Sequence, residues 1–128
     1  MQKEIKFRAY DKQIKEMLNV DRIDFHKDLV YIRSVTRWHS DTPRLISDEI
    51  CTLLLYSGIK DKNGKEIYDG DIFKIGAEKE VFEVRFEHGC FLAYCNGKQY
   101  GLVGELQICF IDVIGNIFEN AELLQTCA

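Results

Sequence analysis

The chain has 128 residues, 46% hydrophobic and 12% aromatic, which suits one globular domain or two small lobes and excludes disorder for want of core-forming side chains. Its net charge of -4 disfavours a general polyanion binder, and no run of about 18 apolar residues is present to form a membrane-spanning helix. A basic-then-apolar secretory opening is also missing, so the expected setting is cytoplasmic and without a membrane.

Residues 5–10 alternate Ile5, Phe7 and Ala9 with Lys6, Arg8 and Tyr10, the period of a half-buried strand. Residues 11–15 are polar enough to turn the chain before an extended run at 17–20. Residues 23–25 and 29–35 are further extended runs, joined through His26, Lys27 and Asp28. Together they predict a small N-terminal β meander over residues 1–46, with one helical turn near 47–50.

The single proline, Pro43, falls in the polar stretch 36–43, which predicts a linker between two lobes. That stretch holds Arg37, Trp38 and His39, and an aromatic beside an Arg in an irregular segment suits a protein-binding hot spot. The competing expectation is that Trp38 packs between the lobes.

In the second lobe, residues 47–128, glycine turns recur at intervals that suit strands and are too short for globular helices. Residues 50–56 are strongly apolar, as in a strand covered on both faces. Asn63-Gly64 predicts a two-residue type I′ hairpin, because both residues tolerate positive φ. Asp69-Gly70 repeats the turn signal before a strand at 71–75. Residues 80–87 set Val81, Glu83 and Arg85 against Phe82, Val84 and Phe86. His88-Gly89 and Asn96-Gly97 turn the chain into strands at 91–95 and 98–103, and runs at 106–111 and 113–118 complete the set. Asn120 is placed to cap a short terminal helix carrying Leu123 and Leu124. The fold class is therefore mainly β, a β-rich α+β protein: a small N-terminal β lobe plus a C-terminal SH3-like or OB-like barrel.

Charge divides along the same line. Residues 1–46 carry ten Lys/Arg against seven Asp/Glu, and residues 47–128 carry seven against fourteen. The resulting +3 and -7 portions allow a homo-oligomer formed head to tail. Five cysteines without a Cys-x-x-Cys pair fit reduced thiols in a cytosol.

The recognisable chemistries fail on particular residues. Asp61 and Asn63 match the first and third positions of a calcium loop, but Glu66 stands where the sharp turn needs Gly and Ile72 where a bidentate Glu belongs. Asp61, Asp69 and Asp71 are more simply turn formers. His88, Cys90, Cys95 and Cys109 suggest zinc, yet Cys90 and Cys95, five apart on one strand, face opposite ways. Ser57 lacks a nucleophile elbow, and Gly101 to Gly104 is followed by no Lys-Ser/Thr. Neither a catalytic residue, a metal nor a cofactor is expected. Nucleic acid would need the basic strand with Lys3, Lys6 and Arg8 and a stacking ring from Tyr10 or Trp38, against an acidic second half.

The segment Tyr56-Ser57-Gly58-Ile59-Lys60-Asp61-Lys62-Asn63-Gly64-Lys65-Glu66-Ile67-Tyr68-Asp69-Gly70-Asp71-Ile72 resembles the signature of the YopX-like proteins of phages and prophages. Residues 4–12 and 113–124 resemble that family's two ends. Tyr10, Ser57, Phe118 and Ala121 depart from the family's usual Trp, Thr, Tyr and Pro. The resemblance implies an SH3-like barrel in the C-terminal half, a phage or prophage origin and with it a host-cell cytoplasm, and no reaction. It marks Gly58, Asp61, Asn63, Gly64, Tyr68, Gly70, Asp71, Gly115 and Asn116 as structural motif residues. The expected function is a non-catalytic accessory protein that binds a phage or host protein, the alternative being a nucleic-acid-binding regulator using the basic N-terminal strand.

Overall fold

A computed structural model describes residues 5–33, 43–46 and 51–126, which are mainly β and form two antiparallel sheets. Arg37, Trp38 and His39, and the helical turn expected at 47–50, lie outside the described residues. The chain divides into two compact units, Ile5–Leu55 and one containing Tyr56–Ala128.

The first unit holds β1 (Phe7–Asp11), β2 (Glu16–Asp24), β3 (Leu29–Arg33), β4 (Arg44–Leu45) and the opening half of β5 (Cys51–Lys60). The alternation in β1 has its expected consequence, because Ala9 faces Leu18 on β2 and Leu53 on β5. Ala9, Leu18, Val30, Ile32 and Cys51 then bury one face of the meander. The two runs expected at 17–20 and 23–25 are one strand, whose irregularity between Val20 and Arg22 absorbs Asp21. Asp11 closes the first hairpin: its Oδ1 accepts the N–H groups of Gln13 and Ile14 at 2.8 and 3.2 Å, and its Oδ2 accepts Arg44 Nε–H at 2.9 Å.

Lys15 ends that hairpin turn at φ 57, a left-handed conformation in which a Cβ meets the carbonyl. Lys15→Gly is expected to stabilise the protein by about 0.5 kcal/mol, relief of strain exceeding the extra unfolded-state entropy of glycine. Urea unfolding checks it.

The second unit continues with β6 (Glu66–Tyr68), β7 (Asp71–Ile75), β8 (Val81–Glu87), β9 (Cys90–Cys95), β10 (Lys98–Leu102) and β11 (Ile111–Asn116). The last five form a sheet in the order β10-β9-β8-β7-β11, while β6 pairs with the second half of β5. Phe73 faces Phe82 across β7 and β8, and Val113 across β7 and β11. With Ile67, Val84, Ala93, Val103 and Ile111 they form the core. By alternation Ile72, Val81 and Leu92 face the other way and are also buried. The closing 3-10 turn Ala121–Thr126 packs against β8.

Three expectations are refined by the structure. The five-stranded ladder is open, ending at β10 and β11, so a closed SH3-like barrel is not confirmed. The run expected as a strand at 106–111 is mostly irregular: 3-10 turns occupy Val103–Glu105 and Ile108–Phe110, because Val103 alone of those six is buried and no two-residue period holds them to a sheet. The short terminal helix is of the 3-10 kind: Asn120 stands at its start, its carbonyl accepting Leu123 N–H at 2.9 Å, while its Oδ1 accepts Asn116 N–H at 3.1 Å.

Candidate functional site

Two features of the second unit stand out, a turn organised by Asp61 and the exposed edge at β10. Asp61 follows β5 directly and is 5% exposed. Its N–H donates to Lys65 O at 2.8 Å, and Gly64 N–H donates back to Asp61 O at 3.0 Å. Gly64 has φ 80 whereas Asn63 is not at positive φ, so the expected two-residue type I′ turn is replaced by a longer loop. The carboxylate explains the change. Oδ1 accepts the N–H groups of Asn63 and Lys65, both at 2.9 Å, and Oδ2 accepts Val113 N–H on β11 at 3.0 Å.

Lys62 N–H also donates to Ile111 O at 3.0 Å, and Asn63 Nδ2 to Asp112 Oδ1 at 3.2 Å. The turn therefore covers polar groups on the open edge of β11, a protected way to end a sheet. Burial pushes the Asp61 carboxyl up, but the amides of Val113, Lys65 and Asn63 outweigh it and hold the group below its ordinary value.

The neighbouring motif residues do similar work. Asp71 Oδ2 accepts Tyr68 N–H at 2.8 Å, and Asp69 Oδ1 accepts Phe86 N–H at 3.1 Å. Gly70, at φ 89, donates its N–H to Val84 O and accepts Ile117 N–H at its carbonyl. Asn116 Oδ1 accepts the N–H groups of Phe118 and Glu119 at 3.0 and 2.9 Å, closing the turn after β11. Gly115 leaves room for Asn120: a Cβ there would lie 2.5 Å from its Oδ1. Gly58, at φ 84, marks the irregularity in β5, where Ser57 Oγ accepts Ile59 N–H at 3.1 Å. Tyr68 stacks at a tilt on Tyr56, ring centroids 5.3 Å apart. These acids meet backbone N–H groups, the arrangement of a scaffold. Among the described residues no group of three or more His, Cys, Asp or Glu is placed to hold a metal ion.

The β10 edge has the opposite character. A register shift between Gln99 and Gly101 sets Tyr100 out of the ladder. Its ring meets Phe82 edge-on at 4.9 Å yet remains 55% exposed. Leu102, Ile108 and Phe110 are exposed in the same stretch, while Val103 and Leu106 anchor it to the core. Phe110 O is held by Gly76 N–H at 2.8 Å. On the neighbouring strands Arg85 bonds Glu83 at 3.1 and 3.2 Å and lies 4.1 Å over the Tyr94 ring. The hydrogen bonds that Arg85 donates to Glu83 raise its pKa. Sequence reasoning missed residues 100–110 because their apolar side chains follow no period; the available signal was their density in a segment without one.

In the first unit Tyr10 is buried and Arg8 half-buried. Arg22 covers the Tyr31 ring at 4.0 Å.

Residues 6–125 match the family model described as YopX protein. The chain is similar to the crystal structure of protein EF1440 from Enterococcus faecalis, at 27% identity and a TM-score of 0.61, over 96% of this chain and 99% of that one. It is similar in fold to the crystal structure of protein YopX from Bacillus subtilis, at 23% identity and a TM-score of 0.59, over 93% and 95% of the two chains. No curated protein matches it.

Proposed function

This chain belongs to the YopX family, and we propose that it is a non-catalytic accessory protein of a phage or prophage that binds a phage or host protein through residues 100–110. The observation that carries the reading is that Tyr100, Leu102, Ile108 and Phe110 are exposed on a segment fixed to the core by Val103 and Leu106. Apolar side chains held rigidly at a surface lose little entropy on association, the property of interface anchors. The non-catalytic part is supported by Asp61 and Asp71, whose carboxylates accept backbone N–H groups. The second half's charge of -7, counted over residues 47–128, favours a partner with a basic rim. Nucleic-acid binding by the N-terminal strand has less support, since the Tyr10 ring is buried and offers no stacking face.

The test is affinity capture from infected or induced host cells after nuclease treatment, comparing the native chain with a Leu102→Ser, Phe110→Ser double variant. A nuclease-resistant partner protein should be captured by the native chain and lost by the variant, with a melting temperature within a few degrees of the native value, since both side chains are partly exposed. Retention of the partner by the folded variant would refute this surface. Nuclease-sensitive capture would favour the nucleic-acid reading. Self-association through the +3 and -7 portions predicts an oligomer on gel filtration that dissociates in high salt.

A further inference from the structure

The chain contains the tripeptide Asn-Gly-Lys twice, at residues 63–65 and 96–98. Local sequence reactivity is thus closely matched, and the two sites differ mainly in what the fold does with them. We propose that Asn96 is a site of spontaneous deamidation and that Asn63 is protected from the same reaction by the Asp61 turn.

The chemistry is intramolecular. The backbone nitrogen of the following glycine, its proton taken by hydroxide or buffer base, attacks Asn Cγ. A carbon–nitrogen bond forms, the Cγ–Nδ2 bond breaks and ammonia leaves, giving a succinimide. Water opens the ring at either carbonyl to yield aspartate or isoaspartate. Reaction needs a free glycine nitrogen and a side chain able to swing over it.

At Asn63 both are restrained. Gly64 N–H is donated to Asp61 O at 3.0 Å, and Asn63 Nδ2 to Asp112 Oδ1 at 3.2 Å. The flanking amides of Asn63 and Lys65 are fixed on Asp61 Oδ1, both at 2.9 Å. At Asn96 the turn is a bare hairpin tip: Asn96 and Gly97 are both exposed, at φ 54 and 77. Among the described residues no side-chain hydrogen bond engages Asn96. Opening this tip disturbs only the end of the β9–β10 ladder, whereas opening the other breaks several bonds. Conversion at Asn96 would add a carboxylate and, in the isoaspartate product, an extra backbone carbon to a two-residue turn joining β9 to the edge strand β10.

The test incubates the intact protein at mildly alkaline pH and quantifies conversion at both asparagines by peptide mass spectrometry. Asn96 should convert at least about tenfold faster than Asn63, the ratio expected from the hydrogen bonds that must open at one site and not the other. In urea the two rates should converge. Asp112→Ala should raise the Asn63 rate and leave Asn96 unchanged. Equal rates in the folded protein, faster conversion at Asn63, or a difference that persists in urea would each overturn the proposal.

Discussion

Asp61→Asn is expected to destabilise the second unit by about 3 kcal/mol, lowering its melting temperature by about 15 °C. The carboxylate accepts three backbone N–H groups, from Asn63, Lys65 and Val113. A carboxamide of the same shape has one oxygen, so in either orientation its NH2 group faces an N–H donor. If it faces Val113, a buried donor on β11 is orphaned; if it faces the turn, two amides are. An orphaned buried donor costs about 1–3 kcal/mol, and bonds to a charged acceptor are worth more than neutral ones. Asp112→Asn is the control. Asp112 is 40% exposed and its contact with Lys62 is 3.9 Å long, so its loss should cost less than about 0.5 kcal/mol.

The same carboxylate gives a pH dependence with a definite sign. Burial opposes the charge on Asp61, but the amide bonds prevail and its pKa is lowered on folding. Its stabilisation is therefore present above the unfolded Asp value, near about 3.9, and is lost as pH falls through the lower folded value. Asp11 acts in the same direction: burial raises its pKa, but the bonds from Arg44 and from the amides of Ile14 and Gln13 outweigh this and leave it lowered. Acid titration of stability should be shallower in Asp61→Asn than in the native protein.

Phe82→Ala is expected to cost about 3–5 kcal/mol, the range for removing a fully buried aromatic ring. Phe82 has 0% exposure and stands between Phe73, stacked at 5.3 Å, and Tyr100, edge-on at 4.9 Å. Its loss leaves a cavity in the core and removes the surface on which Tyr100 rests. Urea unfolding measures the first effect. A Phe82/Tyr100 double-mutant cycle measures the second, with a coupling of about 0.5–1.5 kcal/mol expected for such a ring pair. Phe86→Ala, at 40% exposure in a pair with Phe91, should cost about 1 kcal/mol.

Local patterns in the sequence carried much of this architecture. The alternation at residues 80–87 corresponds to β8, with Phe82 and Val84 buried on one face as their period requires. Asn96-Gly97 and His88-Gly89 form turns with both residues at positive φ, because a two-residue connection between twisted strands demands it. The same dipeptide at Asn63-Gly64 misled, since Asp61 offered the backbone a different set of bonds. Two of its partners, Asn63 and Lys65, are close enough in the chain to be guessed. The third, Val113, is not, because a contact across 52 positions leaves no periodic trace. The open sheet was missed for a related reason: turn spacing reports hairpins, whereas closure depends on which edge strands pair. The exposed apolar side chains among residues 100–110 were hidden by the irregular backbone that carries most of them.

The central claim is that the motif acids, Asp61 foremost, are scaffold and not reacting groups. Carbon-detected NMR titration of the Asp61 carboxyl in the intact protein tests it most directly. A midpoint below the ordinary Asp value of about 3.9 is predicted, as three amide donors require. A midpoint raised toward neutrality, where a general acid or base operates, would contradict it.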